Sequence, residues 1–535
     1  MPQPERTPRT GTLIRPPERT EDAKRPKKRG DSAPPKKAGI GAYLLLCLLP
    51  LLAFAPMFGS DLLWSTYDQP ERTPYTSMEH WSEAWTLESI RTQNPLSLSS
   101  YFAEEHIPLP APQVHRGINL LLHLLAVLLL LKTLESLRLP AAFSTALVFA
   151  LHPAVVQTLF WPGYRDEVIG LIFILAALYF GIRSRNAASY CLALLLTSLA
   201  SVIHPAALVI PVILALTILF KEKHLHLSSY NRVLPLVCLC LFIGVWIQGG
   251  GSAEVLDPDA LAALYQAGQN MSFFFRQALL PLDPALFHPM RTDNSHLVAP
   301  QISLLPFFLF LPFLVFLAFN IKKTWARASL LGLASYLLLV LYGVMQAGRF
   351  IDGNPAHEDY GQYVALPAIL ALVIGGAGSL ARKTGTGGSA LWVIGFSIFI
   401  LIQFAITASF TYAISAPPRM WQHLAEMHPD SWVPKAALIQ SLEARDEAIL
   451  SNRRKIEMLN TILAQRPELS DLRHQLARIY LAEGQNTNAV REYQRLLRGP
   501  RPTDEILEEA ARFFDREGLS WEAANARQRI VRKPE

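Results

Sequence analysis

Lys36–Phe58 reads KKAGIGAYLLLCLLPLLAFAPMF, a pair of cations followed by an apolar run free of charge. A helix needs about 20 such residues to cross a hydrocarbon core, at about 1.5 Å of rise per residue. Ahead of the run lies a 40-residue tail with 11 Lys/Arg, from Arg6 to Lys37, against 5 acids. Cationic flanks stay cytoplasmic, so the run reads as a first span leading outward. The tail is too long, and its apolar segment too extended, for a cleaved signal peptide, so the span is expected to be retained. Residues 1–38 are rich in Pro, Arg, Lys and Thr with no apolar period, which predicts a disordered cytoplasmic tail.

Working outward from this first span at 39–58, ten further apolar stretches follow at 114–131, 140–161, 167–182, 188–203, 205–220, 232–248, 301–320, 327–346, 363–380 and 389–414. Cations fall on every second connection: Lys132 and Arg138; Arg183 and Arg185; Lys221, Lys223 and Arg232; Lys322, Lys323 and Arg327; Arg382 and Lys383. The alternate connections are poor in them, and the largest, 59–113, holds Arg72 and Arg91 against 8 acids. The pattern predicts an all-α, polytopic membrane protein of about 11 transmembrane helices over 39–415, with outer loops 59–113, 249–300 and 347–362. With 51% hydrophobic residues, 17% charged and a mean hydropathy of +0.23, an ordinary soluble protein is excluded. The net charge of +6 sits in the tail and cytoplasmic loops, where it meets anionic lipid; nucleic acid is not an expected partner. Cys47, Cys191, Cys238 and Cys240 all fall inside predicted spans and read as small apolar fillers.

After Pro417-Pro418 the chain turns polar with helical periodicity, and residues repeat at an offset of 34. Ala477 matches Ala511, Tyr480 matches Phe514, Gly484 matches Gly518 and Ala489 matches Ala523. This is the tetratricopeptide period: small residues where two helices touch, an aromatic between them, and Gly at the turn. Leu459, Ile462 and Pro467 match the second helix and closing Pro of an earlier, looser repeat. Residues 419–535 are therefore expected to form an extracytoplasmic helical-repeat domain that binds a protein partner.

The outer loops carry the chemistry. Loop 59–113 contains Asp61, Tyr67-Asp68, Glu104-Glu105 and, just beyond it, His115-Arg116; then come His152-Pro153, Trp161, Gly163-Tyr164-Arg165-Asp166-Glu167 and His204-Pro205. The late outer loop runs through Arg349, Asp352, His357, Glu358-Asp359-Tyr360 and Tyr363. Carboxylates above basic residues at the ends of spans suit a lipid-borne sugar phosphate, whose anionic leaving group needs Arg or His while a carboxylate deprotonates the acceptor hydroxyl. Each candidate has a structural counterpart. Asp68 also suits a turn before Gln-Pro, Arg165 with Asp166 a helix-start ion pair and cap, and His204 a hydrogen-bonded helix end. Glu104 and Glu105 read chiefly as a solvated acidic face that also offers ligands to substrate or a divalent cation. His123 and His152 read as packing histidines. Asp359 with Tyr360 and Tyr363 fits an acceptor path or an interfacial aromatic belt. In loop 249–300, Gly249-Gly-Gly-Ser252 is a hinge, since no Lys-Ser/Thr follows, and 270–287 reads as an interfacial or re-entrant helix flanking a lipid donor.

Ala150-Leu-His-Pro153 through Trp161, Gly163, Arg165 and Asp166 to Leu178-Tyr179 resembles a recurrent segment of certain multispan glycosyltransferases. These are bacterial relatives of the transmembrane and tetratricopeptide-repeat-containing mannosyltransferases, within the GT-C superfold. His115-Arg-Gly-Ile-Asn119-Leu-Leu-Leu-His123 resembles the start of that family's second span, and Glu358-Asp359-Tyr360-Gly-Gln-Tyr363-Val-Ala-Leu-Pro367 its late Asp-Arg-Tyr segment. With the C-terminal repeats, the resemblance covers nearly the whole chain after residue 40. The chain departs from the family in having one acid in Tyr67-Asp68-Gln69, Gln157 after His-Pro, His204-Pro205 in place of a Lys-Glu pair, and no Arg between Asp359 and Tyr360.

The resemblance implies a GT-C-like membrane body in a bacterial inner membrane. Its activity would move a sugar from a polyprenyl-phosphate donor to a protein or glycan acceptor on the outer side. Asp68 would be the catalytic base, and Arg165 and His204 would hold the donor phosphate. Asp166, Asp61, Glu104, Glu105, Arg349 and Asp359 would support them. No metal or other cofactor is demanded, although a divalent cation is compatible. The departures favour a second reading, a catalytically lapsed scaffold whose repeats dock envelope or pilus proteins. A third is a lipid-linked oligosaccharide ligase.

The charge pattern predicts opposite compartments for reporters fused after Glu535 and within 221–231, the first extracytoplasmic. An active cytoplasmic reporter at the C-terminus would overturn the orientation.

Overall fold

The computed structural model describes residues 39–59, 78–86, 89–90, 94–104, 106–184, 186–222, 230–248, 260–282, 284–285, 288–289, 305–346, 350–351, 354–357, 359–429, 431–444, 450–500 and 502–531. The fold is almost wholly helical. α1 (Ile40–Phe54) runs into a 3-10 turn at Ala55–Gly59, and two short helices follow, α2 (Met78–Glu83) and α3 (Pro95–Glu104). α4 (Ala111–Ser136) is long. The next stretch is broken into α5 (Ala142–Ala150) and α6 (Val156–Phe160) around a 3-10 turn at Pro153–Val155. Then come α7 (Arg165–Arg183), α8 (Ala187–Ile203), α9 (Ile210–Glu222), α10 (Leu234–Gln248), α11 (Ala260–Leu279), α12 (Leu305–Phe319), α13 (Thr324–Gln346), α14 (Leu366–Lys383) and α15 (Gly385–Ala413).

Among the described residues six helical segments are long and apolar enough to cross a membrane: Ile40–Gly59, Pro112–Ser136, Pro205–Glu222, Thr324–Met345, Leu366–Lys383 and Gly385–Ala413. The α5–α6 pair, bent by 52°, makes a seventh if it is one span. α8, α10 and α12 are shorter apolar helices, and α7 carries Arg165, Asp166, Glu167 and Arg183 at its two ends. The protein is thus a helical membrane-embedded chain. Its outer faces are apolar as lipid requires: Phe308, Leu311, Phe319, Leu391, Leu401 and Phe242 are all exposed.

The break in α5–α6 shows how a non-helical stretch survives in such surroundings. Pro153 has no N–H, and the carbonyls before it lose their helical partners. On α15, Gln403, Thr407 and Thr411 recur every fourth residue on one buried face. Gln403 donates to Val148 O (2.7 Å), Thr407 to Leu151 O (2.6 Å) and Thr411 to Ala53 O, at the end of α1 (2.7 Å). One polar stripe therefore satisfies two separate breaks.

Expectation and structure differ in places. Loop 59–113 contains α2 and α3. The helix placed at 270–287 starts ten residues earlier, at Ala260, and stops at Leu279, two residues before Pro281. A small antiparallel sheet joins the connection before α12 to that after α13: β1 (His288–Pro289), β2 (Phe350–Ile351) and β3 (Asn354–His357), in the order β1-β3-β2 with His288 opposite His357. Strands of two to four residues give no readable alternation in sequence.

Beyond α15, α16 (Pro417–Met427) begins with Pro at its first turn, and Met420, Trp421 and Leu424 enter the same hydrophobic core as the membrane body. α17 (Val433–Ala444) has two buried faces: Leu438 and Leu442 pack on that body, and Ala436 and Ile439 pack on α18 (Asn452–Gln465) and α19 (Ser470–Ala482). Packing is therefore continuous across the change in composition at Pro417-Pro418. α19 with α20 (Asn486–Arg498) and α21 (Asp504–Arg516) with α22 (Ser520–Val531) form two successive antiparallel pairs. Gly484 and Gly518 turn each pair with φ of 71° and 76°. Ala477, Ala489, Ala511 and Ala523 are all buried at the crossings. The 34-residue period extends to side-chain bonds: Asn452 Nδ2 donates to Glu483 (2.5 Å), and Asn486 Nδ2 donates to Glu517 (3.0 Å).

Gly343 on α13 lies against Gly361 in the segment before α14, where a Cβ on Gly343 would fall 1.8 Å from the Gly361 carbonyl oxygen. Gly343→Ala must push the two backbones apart. It should destabilise the protein by about 1–3 kcal/mol, read as a lower thermal midpoint in detergent. An unchanged midpoint would refute this contact.

Candidate functional site

Three consecutive ionisable residues open α7, and each reaches a different element. Arg165 has no exposed surface. Its Nε donates to Asn119 Oδ1 on α4 (2.7 Å), its Nη1 to Ser100 Oγ on α3 (2.7 Å), and its Nη2 to the His115 carbonyl (3.3 Å). Its charge is met by Glu104, which ion-pairs with Nη1 through one carboxylate oxygen and with His115 Nδ1 through the other. The Tyr101 ring covers the guanidinium face at 4.4 Å. Asp166 accepts from Ser97 Oγ on α3. Glu167 faces His204 Nε2 at 3.0 Å.

His204 is set by a motif that occurs twice. In His204-Pro205-Ala206, Nδ1 accepts from the Ala206 N–H (3.2 Å), capping a 3-10 turn; His152-Pro153-Ala154 does the same at 3.3 Å. Acceptance at Nδ1 makes Nε2 the protonated nitrogen of His204, so the ring donates to Glu167. His123 bridges Tyr363 Oη (2.8 Å) and the Ala150 carbonyl (3.3 Å), which ties α4 to the segment before α14 and to the end of α5.

Asn119 links the cluster to the break beyond it by donating to the carbonyls of Leu159 and Trp161, both at 3.3 Å. Gln157 accepts from the Tyr360 N–H (3.0 Å), and the Tyr360 ring stacks on Tyr164 at 3.9 Å. Arg116, also buried, donates to Met57 O (3.0 Å) and lies over Phe160. The ends of α1, α3, α4, α6, α7 and the turn after α8 thus converge on one buried polar hub. It holds a fixed arrangement of charge away from solvent.

The expected site residues divide accordingly. Arg165, Asp166, Glu104 and His204 come together in this hub. Asp359 is also buried, but beside His288 rather than beside Arg165. Asp61, Asp68, Glu105 and Arg349 lie outside the described residues. The solvated face expected at Glu104 is corrected: only 4% of the residue is exposed, because α3 turns it inward onto Arg165. Sequence reading passed over Glu167, Asn119 and the Ser97–Ser100 pair. Glu167 and Asn119 lie within the motifs at 163–167 and 115–123; the serines give no local signal, since their partners are 69 and 65 residues away.

No protein-family model matches the chain, and no curated protein matches it in sequence.

Removing one partner of a buried ion pair strands the other charge, at a cost of about 3–5 kcal/mol. Glu104→Gln should therefore be strongly destabilising. Adding Arg165→Met should recover part of the loss, because the stranded charge is removed with it. Additive effects in a thermal double-mutant cycle would show that the pair is not coupled.

Proposed function

We propose that this chain is a membrane glycosyltransferase of GT-C architecture. It would move a sugar from a polyprenyl-phosphate donor to a protein or glycan acceptor outside the cytoplasm. Eleven crossings, an outward C-terminus in a bacterial inner membrane and tetratricopeptide repeats that recruit the acceptor belong to this reading. Each of the eleven apolar stretches contains helix among the described residues, six or seven of them long enough to cross, and the 34-residue equivalence of Asn452–Glu483 with Asn486–Glu517 supports the repeats.

The observation that carries the proposal is the hub at the start of α7. Ionisable groups inside a membrane protein are costly and mark substrate or ion paths. Here Arg165, Glu104, His115, Glu167 and His204 are gathered where the first outer segment meets the helix ends. A donor phosphate entering from the α3 side would exchange Glu104 for its own oxygens on Arg165, a group suited to bidentate phosphate binding. His204 would follow if Glu167 released it. Asp68, on the segment between α1 and α2, is the proposed base.

One observation favours the scaffold reading instead: Arg165 and His204 are already met by Glu104 and Glu167. The two readings part in one experiment. Envelope glycoproteins and glycans are compared by mass spectrometry between a deletion strain and strains complemented with wild type, Asp68→Asn or Arg165→Lys. Loss of a glycan on deletion, restored by wild type but by neither variant at equal protein level, supports the enzyme. A glycan profile unaltered by deletion overturns it.

A further inference from the structure

A second buried polar cluster lies apart from the α7 hub, where α11, β1 and the late outer segment meet. Gln277, His288, Asp359 and Gln362 are each at most 5% exposed. They form a chain: Gln277 Nε2 to His288 Nε2 at 3.0 Å, His288 Nε2 to Asp359 Oδ2 at 3.8 Å, and Gln362 Nε2 to Asp359 Oδ1 at 3.5 Å. Two of these separations exceed a good charge-assisted hydrogen bond. Among the described residues the buried Asp359 carboxylate therefore has only long contacts, and a buried charge so poorly met is costly. The oxygens Gln277 Oε1 and Gln362 Oε1 are both buried with no hydrogen-bond partner. Each belongs to a carboxamide whose nitrogen faces the cluster, so a half-turn of that carboxamide would bring its unpartnered oxygen into the nitrogen's place.

With both carboxamides turned over, their oxygens, His288 Nε2 and the under-coordinated Asp359 carboxylate would offer the ligands of a cation site. Ligands around an octahedral ion at about 2.1 Å lie about 3.0 Å apart, and around a tetrahedral one about 3.3 Å. The spacings here, 3.0 to 3.8 Å, match a site slightly open. Imidazole disfavours Mg²⁺ and Ca²⁺, while a set dominated by carboxylate and carboxamide oxygens disfavours Zn²⁺ and Cu²⁺. We propose that Asp359, His288, Gln277 and Gln362 bind one divalent cation with the preferences of Mn²⁺. With a single charged ligand the affinity is modest, a Kd on the order of 10⁻⁵–10⁻⁴ M.

The position gives the ion a task that does not depend on sugar transfer. The His288 ring meets His428, at the end of α16, edge to face at 5.7 Å, and His423 on α16 faces the Pro284 carbonyl at 3.2 Å. An ion drawing Asp359 and Gln362 toward His288 would tighten the outer segments beneath the helix that leads to the repeats. It would act as a clamp between the membrane body and its C-terminal array.

The test uses full-length protein in nanodiscs, stripped with chelator and titrated with MnCl₂ while free Mn²⁺ is followed by its six-line electron paramagnetic resonance signal. Wild type should take up about one Mn²⁺ in this affinity range and gain thermal midpoint as it does so. Asp359→Asn, nearly isosteric, should weaken uptake at least tenfold and abolish the thermal gain. Gln362→Met leaves every charge in place and should weaken uptake by a smaller factor; it serves as the variant if Asp359→Asn fails to fold. No uptake by wild type would overturn the proposal and leave a bridging water as the occupant. Equal uptake by wild type and the folded variants would overturn it as well, assigning the ion to acids elsewhere. None of these readouts is sugar transfer, so failure here leaves the glycosyltransferase reading untouched.

Discussion

A guanidinium with no exposed surface must have its charge and its donors met inside the protein. Arg165 does this by drawing in Glu104, Ser100 and Asn119, so three helices are held by one side chain. A buried ion pair adds little stability over a well-packed apolar replacement, but a broken one is severely destabilising. Such a pair specifies an arrangement more than it strengthens one. It makes the connection between α1 and α4 dependent on α7, and through Asn119 it reaches the backbone beyond α6.

The irregular backbone nearby obeys a related constraint. At membrane depth a freed carbonyl must find a donor in the protein. The Gln403–Thr407–Thr411 stripe provides donors for Val148, Leu151 and Ala53. The break at His152-Pro153 then brings Gln157 to Tyr360 and places Tyr164 on the Tyr360 ring. α15 thus supports the backbone around this polar region. The C-terminal helices are joined to the same body through α17, whose two buried faces leave little freedom between the membrane helices and the first repeat pair.

The sequence by itself determined the helical, membrane-embedded class, because a run of about 20 apolar residues has few other ways to satisfy its backbone. It also determined the helix pairs near the C-terminus, because Gly484 and Gly518 mark turns that need positive φ and the alanines mark crossings that need small side chains. It singled out Arg165, Asp166 and His204 as charged groups at span ends, where ionisable residues are seldom idle. Local periodicity and local composition carry all of these.

What only the tertiary structure decided was who meets whom. Glu104 looks like a surface acid in sequence and is buried, because α3 folds back and offers it to Arg165, 61 residues away. Asp359 reads as a partner of the phosphate-binding residues but falls into a separate cluster with His288 and two glutamines, created by strands of two to four residues. Neither contact is local, and neither leaves a period or motif in the chain. Burial of a polar side chain depends on packing between distant elements, and a single sequence records the side chain but not the partner that makes its burial tolerable.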